Sequence, residues 1–154
     1  MLRKLISGGQ SGVDRAALDV ALELAIPCGG WCPRGRKAED GAIPAHYPLT
    51  QTESVDYAER TKRNVLDADA TLILVRGALA GGTALTLEIA SRYNKPYRVV
   101  DLSDLPQPNS VRAWLEDESV GVLNCAGPRE SRCPGIYGQA ARFLRDVLAE
   151  TTDR

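Results

Sequence analysis

The sequence lacks an excess of charge of either sign, which excludes one broad class of partner. Its 154 residues carry 19 basic and 20 acidic side chains, a formal net charge of -1. A protein that binds nucleic acid or an anionic membrane surface through charge alone usually carries a strongly basic patch. We therefore expect no nucleic-acid and no membrane partner, and any site for an anion must be local.

Long apolar runs are also lacking. No run approaches the roughly 20 apolar residues that a membrane-spanning helix needs. The N-terminal Met-Leu-Arg-Lys leads directly into a predicted strand, without the apolar core of a signal peptide. The sequence predicts a cytoplasmic protein. Since domains commonly have about 100 to 150 residues, we predict a single ligand-binding domain over residues 1–154.

Histidine is nearly absent, and the cysteines do not have the spacing of a zinc site. The one histidine, His46, lies in a proline-containing loop with no serine or cysteine partner at a recognisable spacing. Cys28, Cys32, Cys125 and Cys133 form a C-x3-C and a C-x7-C pair. We interpret them as small buried thiols in a reducing compartment, and therefore predict no metal site. A four-thiolate site is the alternative, because both pairs flank predicted strand ends.

What the sequence does contain is a regular alternation of strands and helices. The predicted strands cover residues 2–7, 28–31, 70–75, 97–102 and 120–124. The predicted helices cover residues 13–24, 57–67, a segment from 81–83 to about 94, 111–116 with Ser110 as N-cap, and 135–150. Continuous apolar strands such as ATLILV are typical of a parallel sheet covered on both faces. We predict a doubly wound, Rossmann-like α/β domain, with a mostly parallel sheet of five or slightly more strands and helices on both faces.

Glycines and arginines gather in the loops that follow predicted strands, where ligands bind in an open parallel sheet. Glycines at strand-to-helix junctions let a ligand approach the backbone amides, and the free N–H groups that begin a helix attract an anion. Guanidinium groups match phosphate oxygens in pairs. We therefore predict a site for a phosphorylated small molecule. The candidate residues are Gly8, Gly9, Gln10, Ser11, Gly12, Arg34, Arg36, Lys37, Gly81, Gly82, Thr83, Arg129 and Arg132.

Several of these features have a plainer structural interpretation. The glycine pairs can serve tight turns alone, and the basic loop 34–40 can pair with its own carboxylates as a solvated surface. Ser11 and Asp14 fit a capping box, in which the Ser11 side chain accepts a hydrogen bond from the Asp14 N–H and the Asp14 side chain accepts one from the Ser11 N–H. Alternatively, Asp14 orients a ligand hydroxyl or a Mg²⁺ ion. Trp31 or Tyr47 is the candidate for stacking on a ligand ring.

Three long blocks of sequence carry a resemblance to a known family. They are residues 7–52, 67–90 and 124–140, which span nearly the whole chain. In these blocks the chain resembles the "putative molybdenum carrier" family of bacterial proteins, part of the wider lysine-decarboxylase-like group of Rossmann-like proteins. The resemblance implies a carrier of molybdenum cofactor (molybdopterin), a pterin that bears a phosphate and an oxo-metal, or otherwise a nucleotide-binding protein. It also implies a homo-oligomer, a dimer or tetramer, with the helix face that carries Trp114 and Leu115 as a candidate interface.

The wider group includes enzymes, the cytokinin-activating phosphoribohydrolases, which carry Pro-Gly-Gly-x-Gly-Thr-x-x-Glu at a strand-to-helix junction. The matching stretch 80–88 keeps the two glycines and Glu88 but replaces the proline, the third glycine and the threonine. Arg60 or Arg63 is the candidate for the arginine that those enzymes use. The resemblance therefore supports binding more than hydrolysis. The alternatives are a nucleoside-monophosphate phosphoribohydrolase with Glu88 as catalytic residue, and a nucleotide-sensing module without turnover.

Overall fold

The computed structural model describes residues 2–152, with residues 150–152 described as backbone only. The helices in this part of the chain are α1 (Val13–Glu23), α2 (Tyr57–Asp67), α3 (Gly81–Arg92), α4 (Pro108–Asp117) and α5 (Ile136–Thr152). The strands are β1 (Lys4–Ile6), β2 (Cys28–Gly29), β3 (Trp31–Cys32), β4 (Lys37–Ala38), β5 (Gly41–Ala42), β6 (Thr50–Gln51), β7 (Ala70–Val75), β8 (Tyr97–Asp101) and β9 (Val122–Ala126).

Five of the strands form one parallel sheet in the order β2-β1-β9-β7-β8. Leu5 of β1 lies between Cys28 and Leu123, and Ile73 of β7 lies between Val99 and Ala126. If β9 is counted as the first strand, the order becomes 3-2-1-4-5, which is that of the doubly wound Rossmann fold. The chain therefore has this fold with its strand sequence circularly shifted.

Helices cover both faces of the sheet, as the continuous apolar strands predict. On one face α1, α4 and α5 pack over a core that includes Leu5, Leu72, Leu123 and Leu144. On the other face α2 and α3 pack against each other. Strand β7 is buried at all six of its positions, because both of its faces carry helices. The predicted fold class is confirmed.

The structure departs from the predicted elements chiefly in two places. Residues 32–50, predicted as a loop, contain the antiparallel β4–β5 hairpin and the start of a small parallel pair between β3 and β6. Helix α4 begins at Pro108 rather than after Ser110, whose hydroxyl instead accepts a hydrogen bond from Arg98. Proline suits this first helical position because its missing N–H would have no partner there.

The helix face proposed as an oligomer interface is partly turned inward. Leu115 of α4 is buried in the core, and Trp114 packs against that core. These side chains therefore stabilise the fold of one copy. The dimer or tetramer itself stays a prediction. No helix among residues 2–152 is long and apolar enough to cross a membrane.

Candidate functional site

A cleft of about 370 Å³ opens at the carboxyl ends of β7 and β9, where Val75 and Ala126 lie in its wall. This is the place where the strand order of the sheet reverses, and doubly wound proteins bind their ligands there. Sites for small molecules commonly have volumes of about 300 to 1,000 Å³. The position and the volume of the cleft both suit a small ligand.

The cleft is strongly cationic although the whole chain is nearly neutral. The residues that line it include four arginines and one carboxylate, namely Arg60, Arg76, Arg129, Arg132 and Asp14. Among the side chains of residues 2–149, no carboxylate oxygen lies within 4 Å of the guanidinium nitrogens of Arg129 or Arg132. These two guanidinium groups are therefore available to a ligand anion.

The N-terminus of α3 forms one wall of the cleft and has free hydrogen-bond donors. No side chain caps this helix, and within residues 2–152 the N–H groups of Gly81 and Gly82 have no acceptor. A Cβ atom at Gly82 would meet nothing within 4 Å, and Arg132 lies beside Gly81. Thr83 lines the same wall. Free amides, a hydroxyl and an arginine at a helix N-terminus make a suitable anion site.

The first glycine-rich turn, by contrast, is mostly internal packing. A Cβ at Gly8 would collide with the guanidinium group of Arg60, and one at Gly9 would press on Ile43 and Leu49. Gly12, with φ of 82°, lies against the backbone of residues 128–130. Of the five candidates at positions 8–12, Gly8 and Gln10 line the cleft.

The capping box predicted in this turn is wrong, because the N-cap residue lies one position after Ser11. Gly12 is the N-cap of α1, and none of the described side chains caps the helix. The hydroxyl of Ser11 donates to Glu39 and accepts the Glu130 N–H, so it joins two loops instead. Burial tends to raise the pKa of Glu39, but hydrogen bonds from Ser11 and Ser131 leave that pKa below its usual value.

The inner end of the cleft contains a buried ion pair. Arg60 Nη1 lies 2.8 Å from Asp14 Oδ2, with the two side chains 12% and 6% exposed. Burial raises the pKa of the Asp14 carboxyl, and Arg60 opposes part of that rise. Two side-chain nitrogens, Gln10 Nε2 and Arg60 Nε, are buried without a hydrogen-bond partner among the described residues. Buried donors in native proteins nearly always have an acceptor, so these two atoms are exceptions among the described residues.

The basic loop contributes less to the cleft than its sequence indicates. Arg36 donates to the carbonyls of Ile43, Pro44 and Tyr47, because the β4–β5 hairpin turns its side chain onto its own loop. Arg34 is exposed, and neither arginine lines the cleft. Lys37 does not line the cleft either, although its ammonium group lies 4.4 Å from the centre of the ring of the cleft residue Tyr57.

Tyr57, at the start of α2, is the aromatic residue of the cleft, and sequence reasoning missed it. Arg129 and Arg60 approach its ring at 4.6 and 5.5 Å. The two aromatic residues proposed for stacking lie elsewhere. Trp31 donates to Asp67 and stacks under Arg63, while Tyr47 is buried and donates to Asp19. Of the two candidate arginines on α2, the structure brings Arg60 and not Arg63 to the cleft.

Glu88, the candidate catalytic residue, lies outside the cleft. Its side chain is 59% exposed and forms an ion pair with Arg92 at 2.7 Å. At 3.6 residues per turn, the positions of Thr83 and Thr86 face the cleft, and the helix turns Glu88 to another side. The carboxylate of the cleft is Asp14.

Arg76 is a further cleft residue that the sequence did not indicate, and it contacts Cys133, which also lines the cleft. Arg76 donates to Cys133 Sγ, to Gln139 and to the Pro134 carbonyl, and so fixes the loop between β9 and α5. The four cysteines are free thiols. No group of three or more histidine, cysteine, aspartate or glutamate side chains among the described residues is arranged to hold a metal ion.

Comparison with known proteins gives a consistent result. The sequence model of the circularly permutated YpsA SLOG family matches residues 5–148. A solved structure, that of a protein from Syntrophus aciditrophicus SB named "Putative molybdenum carrier protein", has 44% sequence identity and a TM-score of 0.91. The similarity covers 96% of this chain and 95% of that chain. No curated protein matches the sequence.

Proposed function

The chain belongs to the circularly permutated YpsA SLOG family, and we propose that its cleft binds a small phosphorylated heterocycle. The observation that carries this proposal is the lining of the cleft, with four arginines against one carboxylate beside the uncapped N-terminus of α3. A phosphate group satisfies both features, because it accepts hydrogen bonds from amides and guanidinium groups together.

The phosphate group is held at the α3 end of the cleft. There the amides of Gly81 and Gly82, the hydroxyl of Thr83 and the guanidinium of Arg132 converge. Arg129 and Tyr57, which contact each other, also line the cleft, and an aromatic ring and a planar guanidinium group suit the flat face of a heterocycle.

Molybdenum cofactor fits this lining as a cargo. The name of the similar Syntrophus protein, a molybdenum carrier, supports this choice. The arginines offer donors for the phosphate and for the oxygen atoms of an oxo-metal group. Because the dithiolene of the pterin holds the metal itself, this cargo needs no set of metal-binding side chains from the protein. A nucleotide, which shares the ring and the phosphate, is the alternative ligand.

The position of Glu88 favours binding over turnover. The hydrolase alternative depends on that carboxylate, which lies outside the cleft in an ion pair with Arg92. We therefore propose a binding protein, and the proposal predicts that Glu88→Gln leaves ligand binding unchanged. Measurable cleavage of AMP by the wild type, abolished in Glu88→Gln, would contradict it.

The direct test is native mass spectrometry of the purified protein, followed by denaturation and elemental analysis for phosphorus and molybdenum. We expect a co-purified organic phosphate. A pterin with molybdenum identifies the carrier function, and a nucleotide identifies the alternative. A protein that carries no ligand and binds neither GMP, AMP nor neopterin monophosphate would refute the proposal.

Arginine variants test the location of the site. Arg129→Ala and Arg132→Ala are each expected to lower the retained ligand at least ten-fold without unfolding the protein, because each removes a charge-assisted contact. Arg145→Ala is the matched control, since Arg145 pairs with Glu23 on the surface of α1 and α5. Equal losses in all three variants would show that net charge, and not the cleft, retains the ligand.

A further inference from the structure

Arg129 has an anchored backbone and one close partner for its side chain. The N–H of the next residue, Glu130, donates to the Ser11 hydroxyl at 3.3 Å. The Arg129 carbonyl accepts the Arg132 N–H at 3.2 Å. The guanidinium carbon of Arg129 lies 4.6 Å from the centre of the Tyr57 ring, and its N–H donors have no acceptor among the described residues. The aromatic ring is therefore the contact that orients this guanidinium group.

Glu39 does not take the place of the ring as a partner of Arg129. The carboxylate lies near enough to interact with the charge of Arg129. Its oxygens, however, accept hydrogen bonds from Ser11 and Ser131, and neither lies within 4 Å of a guanidinium nitrogen of Arg129. Glu39 therefore anchors the loop and leaves the end of the arginine side chain to the ring.

The Tyr57 ring gathers positive charge from three parts of the chain. Lys37 of the β4–β5 hairpin has its ammonium nitrogen 4.4 Å from the ring centre, and the guanidinium carbon of Arg60 lies at 5.5 Å. A cation within about 6 Å of an aromatic centre is attracted by the negative face of the ring. Three cations around one ring repel one another. The ring therefore holds Arg129 in place in the free protein, and an anion that binds there relieves the repulsion.

These contacts give Tyr57 a role that acts through its neighbour. Building on the proposed function, we propose that Tyr57 is a positioning residue, whose ring holds the Arg129 guanidinium group ready for an anionic oxygen of the ligand. Of the two flat groups, the guanidinium group is the one that meets the ligand. An arginine that is already held on a ring loses less rotamer freedom when it binds, and so binds more tightly.

A double-mutant cycle on ligand binding tests this role. Titration calorimetry at fixed ionic strength measures GMP and neopterin monophosphate with the wild type, Tyr57→Leu, Arg129→Ala and the double variant. We expect Tyr57→Leu to weaken binding about three- to ten-fold on its own, and to have no further effect once Arg129 is alanine. An equal loss in both backgrounds would show that the ring contacts the ligand directly, which would overturn the positioning role and leave the proposed function standing.

Two further variants separate positioning from a general effect of losing an aromatic residue. Tyr57→Phe keeps the ring and removes a hydroxyl that has no partner in the described part of the chain, so it is expected to bind like the wild type. Tyr93→Leu is the matched control, because the Tyr93 ring lies 5.6 Å from Lys62 Nζ outside the cleft; it is expected to leave binding unchanged. A Tyr57→Phe variant as weak as Tyr57→Leu, or an equal loss in Tyr93→Leu, would overturn the proposal.

The leucine variant is expected to fold, because Tyr57 is only half-buried at the start of α2 and leucine is a good helix former. Tyr57→Met serves as a second removal of the ring if it does not. Far-ultraviolet circular dichroism of each variant checks the fold before binding is measured.

A measurement without ligand separates this inference from the proposed function. The Nε–H signal of Arg129 in a ¹H–¹⁵N spectrum, identified by its absence in Arg129→Ala, carries the ring-current shift of Tyr57. We expect Tyr57→Leu to move this signal and Tyr57→Phe to leave it near its wild-type position. An unmoved signal in a folded Tyr57→Leu variant would overturn the positioning role whatever the cleft binds. A moved signal in a protein that binds neither probe would support the positioning of Arg129 and count against the proposed ligand class.

Discussion

We expect the two helix starts that carry glycines to respond in opposite ways to a glycine-to-alanine substitution. Gly12 precedes α1 with φ of 82° and ψ of -130°, a combination that residues with a Cβ rarely adopt. A Cβ there would lie 2.8 Å from the nitrogen of Glu130 and 2.9 Å from the carbonyl carbon of Arg129, with the Pro128 oxygen closer still. These are backbone atoms, so no side-chain rotation relieves the contact. Gly82, in α3, has nothing within 4 Å of the same position.

The expected magnitudes follow from these two environments. For Gly12→Ala, backbone strain costs about 1–3 kcal/mol and overpacking about 1–3 kcal/mol, together about 2–6 kcal/mol of the free energy of unfolding. At about 2–4 °C per kcal/mol for a chain of this size, Tm falls by at least about 4 °C. Gly82→Ala replaces glycine in a helix, which stabilises by up to about 1 kcal/mol, so Tm stays or rises slightly.

Thermal and urea unfolding followed by far-ultraviolet circular dichroism measures both variants under identical conditions. Native mass spectrometry of the same samples then separates folding from binding. Gly82→Ala is expected to be stable but to retain less ligand, because its methyl group fills the space beside the free amides of α3. A Gly12→Ala variant within about 0.5 kcal/mol of the wild type, the range of neutral surface substitutions, would refute the reasoning, as would equal destabilisation by both changes.

Three further changes test charged side chains. Arg36→Ala removes three hydrogen bonds to loop carbonyls and should lower the free energy of unfolding by about 2–3 kcal/mol while native mass spectrometry shows unchanged ligand retention; lost retention would place Arg36 in the site. Arg60→Ala leaves Asp14 buried without its counter-ion, which costs about 3–5 kcal/mol near neutral pH. Burial already raises the pKa of Asp14, and loss of Arg60 raises it further. The folded variant therefore keeps a proton that the unfolded chain releases, so its free energy of unfolding falls as pH rises between the unfolded and folded pKa values of Asp14. Urea unfolding between pH 4 and 7, at steps of about one pH unit, checks the sign. Asp69→Asn should cost about 1 kcal/mol at neutral pH, because hydrogen bonds from the amides that open β9 lower the pKa of this exposed carboxyl. That deficit disappears as pH falls through the lowered pKa, and a deficit that persists in acid would contradict the assignment.

The regular elements could be predicted from the sequence because their information is local. Helix α2 and strand β7 have the predicted bounds, since helical periodicity and a continuous apolar run each specify one conformation and its burial. The hairpin within residues 32–50 was missed because its two strands have two residues each, too short for any period to appear.

The lining of the cleft was only partly accessible to sequence reasoning. Arg129 and Arg36 look equivalent in the sequence, as basic residues in loops after strands. The structure brings Arg129 to the cleft, whereas Arg36 folds back onto its own carbonyls. Tyr57 and Arg60 were harder to find, because they come from the start of a helix that precedes a strand. Which helix start faces the ligand depends on strand order, and local patterns do not contain that order.

The circular shift of the strands explains why the glycine-rich turn and the proposed anion site lie on different loops. Counted in Rossmann order, the first strand is β9, and the loop after it holds Arg129 and Arg132 in place of a glycine-rich turn. The glycine-rich turn follows β1, the second strand in that order, and its glycines at positions 9 and 12 serve packing. In the function proposed above, the anion is held by arginines of the first-strand loop and by the amides of α3, which follows the fourth strand. It follows that ligand affinity should depend steeply on ionic strength and on these arginines. Substitutions in the β1 turn should act chiefly through folding, except at Gly8 and Gln10, which reach the cleft.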